Sequence, residues 1–133
     1  MNLVTGASGH IGNVLVRELI ERGQAVRALV LPGENLGSLA GLPVEIVTGD
    51  VLDPGSLCVA MQCIDVVYHL AGMITILPGF DRRVWQVNVD GTANILTAAR
   101  QCGVRRLVHT SSIHALQRAE HGVLMDENLP FDP

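Results

Sequence analysis

The chain has 133 residues, a length that predicts one small domain spanning 1–133. Apolar residues make up 48% and charged residues 17% of it, which is enough apolar material for a core and excludes an intrinsically disordered chain. The net charge of −4 comes from 13 acidic residues against nine arginines, with no lysine, and it argues against nucleic acid as a partner.

The cysteines Cys58, Cys63 and Cys102 are odd in number and form no CxxC pair. This pattern favours neither a disulfide framework nor a zinc site, so we expect reduced, buried thiols in a cytoplasmic protein without a metal. No export signal is visible, and no apolar run approaches the roughly 18 residues of a membrane span. We therefore expect no membrane association.

The first element is a short apolar strand at Leu3 and Val4, followed by a turn over 5–12 that is rich in small residues. A helix follows, because apolar residues recur at helical spacing while charged residues take the other face. The predicted apolar positions are Ile11, Val14, Leu15, Leu19 and Ile20. Gly23 stands where a glycine commonly ends a helix.

Strands then alternate with helices along the rest of the chain. Asp53 followed by Pro54 predicts a helix start, with Asp as the N-cap. Further strands are predicted at 25–31, 44–47, 64–71 and 105–109, a long helix at about 83–102, and no strand or helix after Gln117. This alternation predicts an α/β fold, a doubly wound parallel sheet of about five strands with helices on both faces.

Three glycines, Gly6, Gly9 and Gly12, form a GxxGxxG pattern between the first strand and the first helix. In that context the first glycine permits a tight turn, the second a close approach of backbone to a pyrophosphate, and the third close packing of helix on strand. The N–H groups at the helix start then face the phosphates. The alternative interpretation is an ordinary strand-to-helix turn.

This turn, TGASGHIG at 5–12, resembles the TGxxGxxG turn of the extended short-chain dehydrogenase/reductases, or NAD-dependent epimerase/dehydratase family. Four further segments resemble family segments in family order: GDVLD at 49–53, DVVYHLAG at 65–72, VNVDGTANIL at 87–96 and VHTSS at 108–112. Within the family, the combination is most similar to dihydroflavonol-reductase-like and 3β-hydroxysteroid-dehydrogenase-like members. The resemblance covers essentially the whole chain.

The resemblance implies a set of cofactor-binding residues and one catalytic residue. Asp50 and Val51 would lie at the adenine, and Leu70, Ala71 and Gly72 at the ribose or pyrophosphate. The full cofactor set is Gly6, Ala7, Ser8, Gly9, His10, Ile11, Gly12, Asp50, Val51, Leu70, Ala71, Gly72, Asn88 and Thr110. Ser112 matches the family's catalytic serine, which hydrogen-bonds the substrate oxygen.

Simpler interpretations stay open for several of these residues. Asp50 could be a turn or N-cap aspartate, Asn88 an ordinary polar helix residue, and the hydroxyls at 110–112 plain turn chemistry. His69 is better explained as a packed core histidine than as an acid or base.

The resemblance implies NAD or NADP as cofactor, without a choice between them. An acidic residue at the end of the second strand would favour NAD and an arginine NADP, but Val30 and Leu31 stand there. Glu34 or Arg27 could substitute, although we expect Arg27 to point to solvent.

The sequence departs from the family at its acid–base pair, a tyrosine with a lysine four positions later. The only tyrosine, Tyr68, is followed there by Gly72, and the chain has no lysine. We therefore expect the N-terminal portion of a longer enzyme, inactive alone and lacking the substrate-binding region. A short protein that only binds nucleotide is the competing explanation.

The complete protein is predicted to be an oxidoreductase that acts on a hydroxyl/ketone pair of a small-molecule substrate, with a homodimer possible at full length. A sugar-nucleotide epimerase or dehydratase is the second hypothesis, since it uses the same parts. A non-catalytic NAD(P) sensor is the third.

Overall fold

The computed structural model describes residues 1–76 and 78–131, apart from the side chain of His114. Its centre is one parallel sheet in the order β3-β2-β1-β4-β5. The strands are β1 (Asn2–Thr5), β2 (Val26–Val30), β3 (Glu45–Thr48), β4 (Val66–His69) and β5 (Arg106–His109). The order reverses between β1 and β4, and β1 pairs in parallel with β2 on one side and with β4 on the other. This topology confirms the predicted doubly wound α/β fold.

The helices are α1 (His10–Glu21), α2 (Pro54–Ala60), α3 (Arg82–Trp85) and α4 (Gly91–Gln101). A π-helical segment, Gln86–Asp90, joins α3 to α4, so the predicted long helix is one run with an interruption. The predicted start of α2 is confirmed, because the Asp53 carboxylate accepts the Gly55 N–H at 2.9 Å. Gly23, with φ +70°, follows the end of α1 as predicted. Short 3-10 turns occur at Gly37–Leu39 and Ile113–Ala115.

Two apolar clusters pack on the two faces of the sheet. One joins Leu3 and Val67 of the sheet to Leu57 of α2 and Ile95 of α4. The other joins Val4 and Ala28 to α1 through residues that include Val16 and Leu19. Helices therefore cover both faces, as the sequence predicts.

The apolar face predicted for α1 is partly wrong. Ile11 and Val14 are 60% and 58% exposed, whereas the helix buries Gly12, Val16 and Leu19. The reason lies at Gly12, where the helix touches the preceding turn and a Cβ would stand 2.0 Å from the Gly6 carbonyl oxygen. That contact sets which side of α1 faces the sheet.

Two other expectations are also wrong. The three cysteines are exposed rather than buried, since Cys58 lies on the outer side of α2, and Cys63 and Cys102 follow the ends of α2 and α4. The Arg27 side chain is only 12% exposed. Its guanidinium reaches across the sheet face to the Ala60 and Gln62 carbonyls at 2.8 and 2.7 Å.

After Gln117 the described residues contain no further helix, and their one bridge there joins Leu116 to Phe131. Within 1–76 and 78–131, no helix has the length and hydropathy to cross a bilayer.

Candidate functional site

A cavity of about 270 Å³ opens at the carboxyl ends of β1, β2 and β4, next to the point where the strand order reverses. This is where open α/β sheets bind ligands. Eight of the predicted site residues line it: Gly6, Ser8, Gly9, Asp50, Val51, Leu70, Ala71 and Gly72. Residues outside the predicted set, among them Thr5, Glu34, Met73 and Arg83, line it as well.

The three glycines of the turn differ in what surrounds them. Gly6 has φ +66°, and a Cβ there would stand 2.8 Å from the Ala71 nitrogen, so this position needs glycine for both reasons. At Gly12 a Cβ would collide with the Gly6 carbonyl oxygen. At Gly9, in contrast, the nearest atom is the Gly6 oxygen at 3.2 Å, and no other atom outside its neighbours lies within 4 Å. Gly9 therefore leaves open space on the cavity side, where backbone can approach a ligand.

Helix α1 begins directly after Gly9, and no side chain in the described part of the chain caps it. The first N–H groups of a helix have no partner within the helix, and the positive end of the helix dipole lies there. Gly9 is extended, with φ −68° and ψ 175°, so the turn leads into α1 without covering the N-terminal end of the helix. This end suits an anionic group such as a pyrophosphate.

Asp50 lies on the far side of the cavity, after β3. One carboxylate oxygen accepts the Leu52 N–H at 2.9 Å, and the other lies 3.7 Å from the Arg83 guanidinium. The hydrogen bond to Leu52 supports the interpretation of Asp50 as a turn aspartate. Asp50 and Arg83 also both line the cavity. Acidic and basic groups at this end can meet the polar edge of a base.

A hydrogen-bonded chain connects the glycine turn to the end of β4 through Thr5 and His69. The Thr5 hydroxyl oxygen accepts the N–H groups of Leu70 and Ala71 at 3.2 and 3.0 Å. Since both of these are donors, the hydroxyl hydrogen is left for the His69 Nδ1, 2.8 Å away. We assign the proton of the neutral ring to Nε2 from this network.

From His69 the chain continues to the π-helical segment. The Nε2 of His69 lies 3.0 Å from the Thr92 hydroxyl, which donates to the Asn88 carbonyl at 2.7 Å. Asn88 in turn exchanges two hydrogen bonds of 2.8 Å with the Met73 backbone. Asn88 thus fixes the segment after β4 instead of lining the cavity itself.

His69 is the buried titratable group of this network, 1% exposed. Burial, and next the charge of His109, lowers its pKa from 6.5 to about 4. The two rings are stacked, with centroids 5.2 Å apart. A neutral ring is what the assigned hydrogen bonds require, which agrees with the interpretation of His69 as a core histidine.

The remaining predicted site residues lie outside the cavity lining. Ala7 is buried in the core, Gly12 lies at the helix contact, and His10 and Ile11 are exposed at the start of α1. Thr110 follows β5, where its N–H donates to the His69 carbonyl at 3.1 Å, and Ser112 is exposed two residues later. Both stand at the same sheet edge as the cavity, on the β5 side.

The sequence interpretation missed Thr5, Met73 and Arg83 as lining residues. Thr5 ends β1 directly before the turn, so its place at the carboxyl edge was a usable signal. Arg83 enters from α3 and lies 3.7 Å from Asp50, a contact that no local sequence pattern predicts.

Comparison with known proteins decides the family. The model of the 3-beta hydroxysteroid dehydrogenase/isomerase family matches residues 3–132. The chain belongs to this family. The predicted resemblance to extended short-chain dehydrogenase/reductases is therefore confirmed.

Among curated relatives of this family member, sterol demethylase protein B of Methylococcus capsulatus is 43% identical over 98% of the chain and 40% of its own length. A putative dihydroflavonol 4-reductase of Synechocystis sp. is 38% identical over 94% of the chain and 36% of its own length. The chain thus spans about two fifths of the length of the curated relatives it matches.

Solved structures show the same fold with NAD bound. A short-chain dehydrogenase/reductase superfamily protein of Agrobacterium tumefaciens with bound NAD is 32% identical, with a TM-score of 0.82 over 100% of this chain and 39% of that one. A Thermus thermophilus UDP-glucose 4-epimerase complexed with NAD is 27% identical, with a TM-score of 0.83 over 99% of this chain and 44% of that one. The predicted cofactor class, NAD or NADP, agrees with both structures, and they leave the preference of this chain open.

Proposed function

We propose that residues 1–133 form the NAD(P)-binding domain of an oxidoreductase that acts on a hydroxyl/ketone pair of a small-molecule substrate. The observation that carries this proposal is the glycine turn. At Gly6 and Gly12 the space for a side chain is occupied by backbone atoms, whereas Gly9 is open toward the cavity at the uncapped end of α1. That is the shape a dinucleotide pyrophosphate requires.

Each part of the cavity has a role in this proposal. The first N–H groups of α1 bind the pyrophosphate, while Asp50 and Val51 hold the adenine on the β3 side. Leu70, Ala71 and Gly72 let the backbone pass close to the sugar on the β4 side. Asn88 acts through its bonds to Met73, which hold the segment after Gly72 in place. The nicotinamide cofactor supplies a hydride acceptor or donor when bound.

The substrate side of the site lies at β5. Thr110 lines the cofactor and Ser112 hydrogen-bonds the substrate oxygen in this proposal, which places chemistry beyond the β4 side of the cavity. Tyr68 does not reach that edge, because it lies within β4 and packs, half-buried, against the core cluster of Val4 and Val16. Among the residues that the structure describes, none therefore takes the place of the family's tyrosine and lysine, and we expect this chain to bind cofactor without turnover.

A sugar-nucleotide epimerase or dehydratase is the second candidate, favoured by the likeness to the UDP-glucose 4-epimerase. It would use the same cofactor cavity with a transient ketone. A non-catalytic sensor would bind the cofactor alone. Assay of the full-length protein with a panel of ketones and nucleotide sugars separates the three.

A cytoplasmic location and a homodimer at full length belong to the same proposal. Light scattering of the purified full-length protein measures its oligomeric state.

The function is tested by titrating NADH and NADPH into the purified protein and its Gly9→Ala variant. A methyl group at Gly9 occupies space meant for the pyrophosphate, so we expect affinity to fall about tenfold or more. The melting temperature without ligand should change little, since only the Gly6 oxygen, at 3.2 Å, is near that methyl.

Gly55→Ala is the matched control, because a Cβ there also meets one atom, Asp53 Oδ1 at 3.3 Å, in a helix away from the cavity. Its cofactor affinity should equal that of the parent protein. If Gly9→Ala bound the cofactor as tightly as the parent protein, the turn would not be part of the site. If the parent protein bound neither NADH nor NADPH, the proposed function would be refuted.

A further inference from the structure

Two helices on the same face of the sheet, α2 and α4, pack directly against each other. Leu57 of α2 and Met61 at its C-terminal end belong to the same buried cluster as Ile95 and Ala98 of α4. These four side chains are at most 3% exposed. The packing therefore fixes the C-terminal half of α2 beside α4.

Each of these helices places a cysteine at the solvent-exposed border of their contact. Cys58 follows Leu57 within α2, and both Cys58 and Cys102 are exposed. Cys102 ends α4 one turn after Ala98, whose carbonyl accepts the Cys102 N–H at 2.9 Å. The two cysteines thus flank the buried contact on the side that soluble reagents can reach.

The two thiols contact each other across this border. Burial, and next the charge and the hydrogen bond of the Cys58 thiol, raise the pKa of the Cys102 thiol. A disulfide requires the two Cβ atoms to lie about 3.5–4.5 Å apart. Thiols in contact on two packed helices are therefore an arrangement from which a disulfide forms with little movement of the backbone.

The surroundings of the pair favour a disulfide over a metal site. Within residues 1–76 and 78–131, no group of three or more His, Cys, Asp or Glu side chains could hold a metal ion. Two thiolates alone leave the usual four-ligand zinc site incomplete. Cys63, the third cysteine, follows the end of α2 and is not among the described groups that act on the Cys102 thiol.

We propose that Cys58 and Cys102 form a redox-active pair, which a disulfide oxidant such as oxidised glutathione converts to an intramolecular disulfide between α2 and α4. Nothing in this inference depends on the proposed cofactor site. The reaction is thiol–disulfide exchange, so reduced glutathione in excess reverses it.

The exchange takes place in two steps. Because the Cys102 thiol is held protonated, the Cys58 thiol loses its proton and attacks one sulfur of the oxidant, whose S–S bond breaks and releases one glutathione thiolate. Cys102 then loses its proton, attacks the Cys58 sulfur and displaces the second glutathione. Two protein thiols have lost two electrons in total, and one glutathione disulfide has been reduced to two thiols.

The positions of the methionines make the pairing directly measurable. Chemical cleavage after methionine gives the fragments 2–61, 62–73 and 74–125, which carry Cys58, Cys63 and Cys102 respectively. The purified, reduced protein is equilibrated with mixtures of oxidised and reduced glutathione, quenched with acid, cleaved, and analysed by mass spectrometry. We expect fragments 2–61 and 74–125 to be joined, while fragment 62–73 stays separate.

The second attack is intramolecular, so the pair should be oxidised more readily than a single exposed cysteine. We expect the disulfide to be half-formed at about tenfold less oxidant, or lower, than the amount at which Cys63 takes up glutathione.

Cys63→Ser is the matched control, because it removes an exposed cysteine outside the pair. It should form the disulfide at the same glutathione ratio as the parent protein. In Cys58→Ser and in Cys102→Ser, the remaining member of the pair should take up glutathione, and no two fragments should be joined.

The same oxidation in denaturant shows whether the fold determines the pairing. Closing a loop in an unfolded chain costs more entropy as the loop grows, so Cys58 should then pair with the nearer Cys63. Fragments 2–61 and 62–73 should be joined under those conditions.

Three results in the folded parent protein would overturn the proposal. They are separate glutathione adducts on Cys58 and Cys102, a disulfide that includes Cys63, and thiols at Cys58 and Cys102 that stay reduced where Cys63 takes up glutathione. The same mixture of pairings in folded and denatured protein would also overturn it.

Discussion

His69 shows how a single buried side chain can organise the edge of a sheet. Its two ring nitrogens meet two threonine hydroxyls, one that supports the turn after β1 and one that holds the π-helical segment. Both bonds use the neutral ring, because Nδ1 must accept from Thr5. Protonation would force Nδ1 to become a donor and would break the bond with Thr5.

The stability of the protein should therefore depend on pH through His69. Its pKa of about 4 in the fold lies below 6.5, so the unfolded chain takes up a proton first as the pH falls. Stability from this group is complete above pH 6.5 and is lost as the pH falls toward 4. Between pH 7 and pH 5 we expect the free energy of unfolding to fall by about 2 kcal/mol, measured by denaturant titration.

His69→Gln is expected to be less stable at pH 7 and to lose this share of the pH dependence. Asp65 does not contribute to the change in stability between pH 7 and pH 5, because the N-terminal ammonium lowers the pKa of its carboxyl group further below that range. NMR titration of the His69 ring gives the direct check. A ring that titrates near pH 6.5 in the folded protein would contradict the account.

At the scale of elements, the π-helical segment Gln86–Asp90 is where the site meets the helical layer. The Thr92 hydroxyl donates a hydrogen bond to the Asn88 carbonyl at 2.7 Å. Its oxygen lies 3.0 Å from the His69 Nε2. Side-chain bonds to helix carbonyls compete with the regular backbone pattern, and π segments often lie at functional sites. This segment holds Asn88 opposite Met73.

Thr92→Val tests that connection, because valine keeps the β-branched shape and removes only the hydroxyl. The His69 Nε2 proton would lose its acceptor, so we expect a loss of about 1–2 kcal/mol in the free energy of unfolding. Thr97→Val is the control on the same helix: its exposed hydroxyl donates to the Ala93 carbonyl at 2.9 Å, and the effect of the substitution should stay within about 0.5 kcal/mol. If chemical denaturation showed the same loss of unfolding free energy for Thr92→Val and Thr97→Val, the His69–Thr92 hydrogen bond would not contribute to stability as proposed.

The elements themselves could be predicted because their signals are local. Alternating apolar runs, the Asp53–Pro54 start and Gly23 determine strands and helix ends over a few residues each. The face of α1 could not be predicted, since Ile11 and Val14 look as apolar as Val16, and the contact at Gly12 that selects the buried face is tertiary. The hydrogen bond between His69 and Thr92 likewise joins residues that are distant in sequence.

Across the whole molecule, the cavity is a product of topology. Lining residues come from the ends of β1, β2 and β4 and from the segment after β3, brought together where the strand order reverses. The glycine turn and the residues after β4 could be predicted from motifs because the motif and the strand end coincide. Glu34 could be named only as one of two alternatives, and Arg83 could not be placed, because their contacts to Ser8 and Asp50 join residues that are distant in sequence.

The central claim is that this cavity holds a dinucleotide across the end of α1. A crystal structure of the protein with NADH measures this directly. We predict pyrophosphate oxygens at about 2.7–3.2 Å from the first N–H groups of α1, and the adenine beside Asp50 and Val51. A cofactor bound elsewhere, such as at the opposite sheet edge near Asn2 and Arg105, or a pyrophosphate without contact to this helix end, would contradict the account.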